Sequence, residues 1–279
     1  MPKALNALVV AIAATASLAA PAAAQQAQCD RSDLQQVVDK YIAAQTNGEP
    51  LRIPFGDFTQ YTEQGELGSM SLGILSTPVK IDFHRSLLDL ATCTTFTEVV
   101  VADPAHPYVV AAKLQYAGKF SPIAAERVND IEFVVTDKDD RQFDAARTLQ
   151  HARAEKWDAI PAADRADRPA LIAVANAYLD AIGGTGGAIP WAANCARLDG
   201  GVHTVAAAGG AGCGTGLPTG VKTADRRFVV DEAIGAVAVL MQVGEEKVPG
   251  AQLFRIEKGQ IRYVHAMTVC RQGKCGFPG

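Results

Sequence analysis

The chain has 279 residues and a formal net charge of −4. That length fits two ordinary domains, and the acidic balance, without a basic run or a basic–aromatic stripe, argues against nucleic acid or an anionic membrane as partner. The 6 cysteines all follow the first segment, and an even number in an exported chain reads as disulfides.

Residues 1–24 read as a signal peptide: Lys3 gives the positive start, Leu5 to Ala20 is apolar, and Ala22-Ala23-Ala24 supplies small residues before Gln25. The apolar stretch is too short and too alanine-rich to span a bilayer, and no later segment approaches spanning length. The expected destination is periplasmic or secreted. The chain has no Asn-x-Ser/Thr acceptor, which favours a Gram-negative periplasm. Gln26-Ala27-Gln28 lacks the Leu and the small residue that would precede a lipidated Cys29.

Asp30 to Ala44 predicts an amphipathic helix, with Ser32 as N-cap and Leu34, Val37, Val38, Tyr41 and Ile42 on one face. Asn47-Gly48 ends it, and Leu51 to Phe58 is an apolar link docking back on the helix. Phe83 to Ala102 predicts strand, rich in β-branched residues after Thr94. Tyr108 to Tyr116 and Glu126 to Asp137 predict two more. The charged stretch 139–167 reads as a linker with one helical segment, Phe143 to Lys156. A second helix follows at Arg168 to Ala181, with Pro169 in its first turn. Gly209 to Gly220 is a glycine-rich loop without the Gly-Lys-Ser/Thr ending of a phosphate loop. Arg226 to Gly244 predicts one or two strands around Gly235, and Ala251 to Lys258 and Gln260 to Cys270 predict two more.

The second half repeats the first. Leu34, Val37, Tyr41 and Ile42 recur in order as Leu171, Val174, Tyr178 and Leu179. Ile53-Pro54-Phe55 recurs as Ile189-Pro190-Trp191, and Leu75, Val79 and Lys80 as Leu217, Val221 and Lys222. Arg85, Leu87, Leu88 and Asp89 recur as Arg227, Val229, Val230 and Asp231. Such spacing predicts a duplicated α+β unit, 25–138 and 168–279. Each copy is expected to be a cone-like domain, a curved antiparallel sheet wrapped around its N-terminal helix. Duplication favours disulfides within copies: Cys29 with Cys93, Cys195 with Cys213, and Cys270 with Cys275 closing a small C-terminal loop.

Several residues could carry chemistry. His265 shares a strand face with Tyr263, Met267 and Val269. Turned toward a pocket, it could serve as a general acid or base, whereas a satisfied, half-buried histidine is the structural alternative. The first copy is read as having Val135 at the matching position. Asp231 and Arg227 share one face of their strand. Asp231 could orient the imidazole, but its recurrence as Asp89 also fits an Arg–Asp bridge that holds the fold. Trp191 could form a stacking wall for a ligand, and Tyr178 could point its hydroxyl into the pocket; both also suit a core. No metal site, cofactor motif, serine nucleophile motif or dinucleotide fingerprint is present.

Cys195-Ala196-Arg197-Leu198-Asp199-Gly200-Gly201, followed by Arg226-Arg227-Phe228-Val229-Val230-Asp231-Glu232, resembles the nuclear transport factor 2-like superfamily in its polyketide-cyclase-like branch. The mature chain is also similar to a group of secreted fungal and bacterial proteins. These share its Lys80-Ile81-Asp82-Phe83 and Val134-Val135-Thr136-Asp137-Lys138-Asp139 segments and Tyr263-Val264-His265 before a Cys. The resemblance implies sheet-to-sheet association, here an internal pseudo-dimer that needs no further partner. It leaves three functions open. One is an exported binder of a small hydrophobic or aromatic molecule. Another is a cofactor-independent lyase, isomerase or dehydratase using His265 with Asp231, Tyr263 and Arg227. The third is a non-catalytic scaffold.

Overall fold

The structure is a computed structural model that describes residues 28–119, 121, 125–206, 212–270 and 275–276. The expected signal peptide and the start of the glycine-rich loop lie outside the described residues.

Helix α1, Arg31–Asn47, begins at Asp30 rather than Ser32. The Asp30 carboxylate accepts from the backbone N–H groups of Ser32 and Asp33, while Asp33 accepts from the N–H of Asp30, a reciprocal capping box. A carboxylate, always an acceptor at neutral pH, takes the capping place from the hydroxyl two residues on. The helix ends at Gly48, with φ 64°, where a Cβ would meet the Ser76 carbonyl at 2.7 Å. Only glycine fits that left-handed, crowded position.

Six strands follow: β1 Phe55–Glu63, β2 Glu66–Leu67, β3 Phe83–Asp89, β4 Thr94–Val101, β5 Tyr108–Tyr116 and β6 Val128–Thr136. They form one sheet in the order β2-β1-β6-β5-β4-β3, with β1 and β6 parallel and the other neighbours antiparallel. Helix α2, Ala145–Ala154, lies in the linker. Then the plan repeats: α3 Arg168–Ile182, β7 Trp191–Asp199, β8 Val202–Val205, β9 Thr223–Asp231, β10 Ala236–Val243, β11 Val248–Glu257 and β12 Gln260–Thr268. Their order, β8-β7-β12-β11-β10-β9, is that of the first sheet, again with one parallel pair, β7 and β12. The protein is α+β, with two similar domains.

The sheets are mixed rather than antiparallel as expected, because β1 and β7 run parallel to β6 and β12, and two segments of the sequence reading fold differently. Phe83 to Ala102 is a hairpin, not one strand. The turn lacks glycine, proline and asparagine; instead the Asp89 carboxylate accepts from the N–H groups of Ala91 and Thr92, and Cys93 sits at φ 50°. Leu51 to Phe58 runs into strand β1. That strand and its counterpart β7 carry no clean apolar alternation, because each borders a short edge strand and its register against β6 or β12 shifts.

The two sheets pack face to face, with each helix on the far side of its own sheet. Leu34, Tyr41, Ile131 and Phe133 belong to the core under α1; Leu171, Tyr178, Phe254 and Val264 belong to the core under α3. Leu87, Phe96, Val100 and Val109 meet Val229, Leu240, Leu253 and Met267 in the layer between sheets. With both faces covered, every residue of β4 is buried, which is why its sequence reads as a continuous rather than an alternating apolar run.

A pseudo-two-fold exchange joins β3 and β9 along one edge of this layer. Asp231 Oδ2 accepts from the N–H of Leu88 at 3.0 Å and its carboxylate is held by both terminal nitrogens of Arg31 at 2.8 and 3.0 Å. Reciprocally, Asp89 Oδ2 accepts from the N–H of Val230 at 2.9 Å and from Arg168 Nη1 at 2.6 Å. Each aspartate also holds its own turn through Oδ1.

Three disulfides link Cys29 with Cys93, Cys195 with Cys213, and Cys270 with Cys275, and no free cysteine is found among the described residues. Cys29 is thereby tied to the β3–β4 turn. Covalent cross-links of this number belong to an oxidising, extracytoplasmic setting. No helix of the described residues is long and apolar enough to cross a membrane.

Candidate functional site

The spaces between helix and sheet hold aromatic side chains. In the first half Tyr41 and Tyr61 pack on Phe133 with ring centroids 5.9 and 5.6 Å apart. In the second, Tyr178 meets Trp191 and Phe254 edge-on at 5.7 and 5.3 Å. Trp191 and Tyr178 therefore spend ring surface on the core and on each other. Burial pushes the Tyr178 phenol well above its ordinary range, against the neighbouring Arg197. Arg197 itself donates to the carbonyl of Thr215 at 2.8 Å.

His265 faces the other way, into the layer between sheets. The strand register fixes its counterpart. Counting across the first sheet from Asp89 through Thr94 and Gln115 reaches Asp130. Counting across the second from Asp231 through Ala236 and Arg255 reaches Tyr263. Two residues further on, His265 matches Glu132, not Val135. The sequence alignment slipped because β6 and β12 both carry register shifts and their apolar residues do not repeat one for one.

The imidazole is buried at 2% exposure and held from both sides. Nδ1 lies 2.6 Å from Glu98 Oε1, and Nε2 lies 2.9 Å from both oxygens of Glu155. Arg85 Nη1 stands 3.3 Å from each of the same carboxylates, and its Nη2 donates to the carbonyl of Ala152 at 2.9 Å. Trp157 Nε1 donates to Glu155 at 2.8 Å. The indole ring lies 4.2 Å from the guanidinium of Arg85 and stacks on Tyr263 at 5.9 Å.

A neutral imidazole has one N–H to offer, whereas here both nitrogens face carboxylates. The ring is therefore an imidazolium. Burial alone would lower its pKa, but Glu98 and Glu155 outweigh that and raise it to about 9. Glu155 shows the complementary shift: burial pushes it up, and His265, Arg85 and Trp157 hold it net below the usual carboxylate value. Two carboxylates, one guanidinium and one imidazolium sum to zero, which is how four ionised groups tolerate burial together. The adjoining cavity, bordered by Glu98, Phe143, His265 and Met267, has a volume of about 20 Å³, room for a water molecule and no more.

The structure thus joins His265 and Tyr263 in one cluster but leaves Asp231 out of it. The terminal position of Asp231 on β9 aims it at Arg31 and the Leu88 amide, the fold-holding bridge that its recurrence as Asp89 had allowed. Arg85 was noted only as the repeat of Arg227, and Glu98, Glu155 and Trp157 were not singled out from sequence. A glutamate inside the β-branched run Thr94–Val101 was the one available signal, since a carboxylate in a fully buried strand needs partners.

Arg227 occupies the place of Arg85 at the opposite end of the layer. Its Nε and Nη2 lie 3.2 and 2.5 Å from the oxygens of Glu132, and Nη1 donates to the Asp225 carboxylate. Lys113 Nζ sits 2.6 Å from Asp130 and 3.6 Å from Glu132. Above these pairs lies an open cleft of about 450 Å³, lined from the first half by Gln60, Thr62 and Lys113 and from the second by Arg227, Met241 and Gln242.

Residues 164–268 match the profile of a family described as a domain of unknown function, DUF8021. That span runs from just before α3 to the end of β12 and leaves the first half outside. No curated protein and no solved structure matches the chain.

Proposed function

We propose that this is an exported small-molecule-binding protein of the nuclear transport factor 2-like type, periplasmic or secreted, whose ligand sits between its halves. The supporting observation is the cleft beside Arg227. It is open and about 450 Å³, within the range of small-molecule sites, while aromatic side chains occupy the spaces under α1 and α3. The duplicated, disulfide-linked frame fits a rigid binder. The lining revises the ligand class: charged and amide groups around Lys113, Arg227 and Gln242 suit a polar, hydrogen-bonding compound better than a hydrophobic one. Acid–base catalysis by His265 fits less well, because both ring nitrogens are committed and the neighbouring cavity admits about one water.

A thermal-shift screen of the oxidised chain against amino acids, sugars and polyamines tests the reading. A ligand at a hundred times its dissociation constant stabilises by about 2.7 kcal/mol, a rise of roughly 5–10 °C for a chain of this size. Gln242→Trp, which fills the cleft mouth, should abolish that rise. A panel without a stabiliser, or one whose hits protect wild type and Gln242→Trp equally, would remove the cleft from consideration.

A further inference from the structure

We propose that the linker from Phe143 to Trp157 is a strap lying in a second binding cleft, and that this covered cleft takes an aryl carboxylate, with Glu155 and Trp157 of the strap standing where carboxylate and ring would go.

The two ends of the sheet–sheet layer are the same place built twice. Arg85 matches Arg227, His265 matches Glu132, and Met267 matches Val134 through the strand register. Where no strap lies among the described residues, the cleft measures about 450 Å³; where the strap lies, about 20 Å³ is left. Phe143 and Thr148 border what remains, and Glu155 and Trp157 reach the charged groups beneath.

The covered end differs from the open one in what it asks of an occupant. Beneath the strap, Arg85 and the imidazolium of His265 together exceed the charge of Glu98 by one. An excess buried charge demands a counter-ion. The strap supplies one: the Glu155 oxygens sit 2.9 Å from His265 Nε2 and 3.3 Å from Arg85 Nη1. It also supplies a flat ring, 4.2 Å from the Arg85 guanidinium and stacked 5.9 Å from the Tyr263 ring. A guanidinium and an aromatic ring that both contact one flat group suit an electron-rich arene.

The strap packs Phe143, Leu149 and Trp157 against the inter-sheet core and is otherwise held by non-covalent contacts, all of which a ligand must displace. Helix α2 has only 10 residues, of which Ala145, Thr148 and Ala152 are buried, and its flanks rest on hydrogen bonds such as Asp144 N–H to Gly200 and Ile160 N–H to Ala233. None of the three disulfides pins it. No strand of either sheet pairs with it, so neither sheet needs it to complete its strand pairing.

Calorimetry and hydrogen exchange on the full oxidised chain, with indole-3-acetate as probe and the uncharged indole-3-ethanol as control, decide the matter. Wild type should bind indole-3-acetate weakly, with exchange rising in 145–154 as the strap leaves. Trp157→Ala, which keeps every charge in place, should bind it about tenfold tighter, because less of the affinity is spent on displacing the strap. Gln242→Trp should leave this binding unchanged, which separates it from occupation of the open cleft. The proposal is overturned by any of four results: no binding to either form, equal binding of indole-3-ethanol, binding with unaltered exchange in 145–154, or loss of binding in Gln242→Trp.

Discussion

The two ends of the sheet–sheet layer carry the same arginine and different companions. At the open end Arg227 pairs with Glu132 beside water; at the covered end Arg85 and His265 share Glu98 and Glu155 under the linker. The matching positions hold side chains of opposite charge. The reason is electrostatic closure. A single ion pair is complete where solvent screens what remains, whereas two carboxylates sealed beneath a linker need two cations. Position 265 follows the cover laid over it, not the copy it came from.

The contrast breaks most sharply at the matched positions themselves. His265→Ala leaves Glu98 and Glu155 facing Arg85 alone and should destabilise by about 3–5 kcal/mol. Glu132→Ala removes one partner of a pair that water can still reach, and should lose about 1–2 kcal/mol. Urea titrations of the oxidised protein measure both losses. Equal losses would mean that the linker does not seal its end.

Next in size is the aspartate exchange, where the two halves ought to behave alike. Asp231→Ala strands the Leu88 amide and Arg31; Asp89→Ala strands the Val230 amide and Arg168. Each should forfeit roughly 3 kcal/mol, the lower part of the range for breaking a buried ionic contact. A several-fold difference between the two would show that the pseudo-two-fold is geometric without being energetic.

How far the sequence carried these distinctions depends on what covers each face. The duplication was legible because helix-face residues such as Tyr41 and Tyr178 repeat in order. The disulfides were legible because six cysteines divided between two copies leave few sensible pairings. The alternation of β12 correctly grouped Tyr263, His265 and Met267. It could not say whether that face met α3 or the other sheet, because both faces are buried and neither carries a solvent signature. Glu98 and Glu155 lie far from His265 in the chain, so nothing local announced the cluster. Arg227, expected to assist His265, instead lines the open cleft, whereas Asp231, on the same strand face, serves the seam between halves.

The pH dependence should sharpen the contrast further, because only the covered end carries a titrating group near neutrality. The folded-state pKa of His265 is raised from 6.5 to about 9. Its protonation therefore stabilises fully below pH 6.5, and that contribution fades as pH rises through about 9. His203, stacked on His151 at 3.8 Å, shifts the opposite way, because burial and then the His151 charge lower its pKa. Its contribution is present above pH 6.5 and is lost as pH falls through its depressed value. Wild type should be most stable between these limits. His265→Gln should lose the alkaline decline and keep the acidic one; an unchanged alkaline limb would assign that limb to another group.

The smallest effect concerns salt. The pair of Lys113 with Asp130 has side-chain exposures of 15% and 25%, so solvent and ions reach it. A double-mutant cycle between Lys113→Met and Asp130→Asn should give a coupling of roughly 0.5–1 kcal/mol at low ionic strength. Near 1 M salt, where the screening length falls to about 3 Å, most of that coupling should vanish. The cycle between Arg85→Met and Glu98→Gln should hold its coupling over the same range, because side-chain exposures of 8% and 1% keep ions out. If both couplings fell in parallel, salt would have access beneath the linker, and the covered end would already be opening in solution.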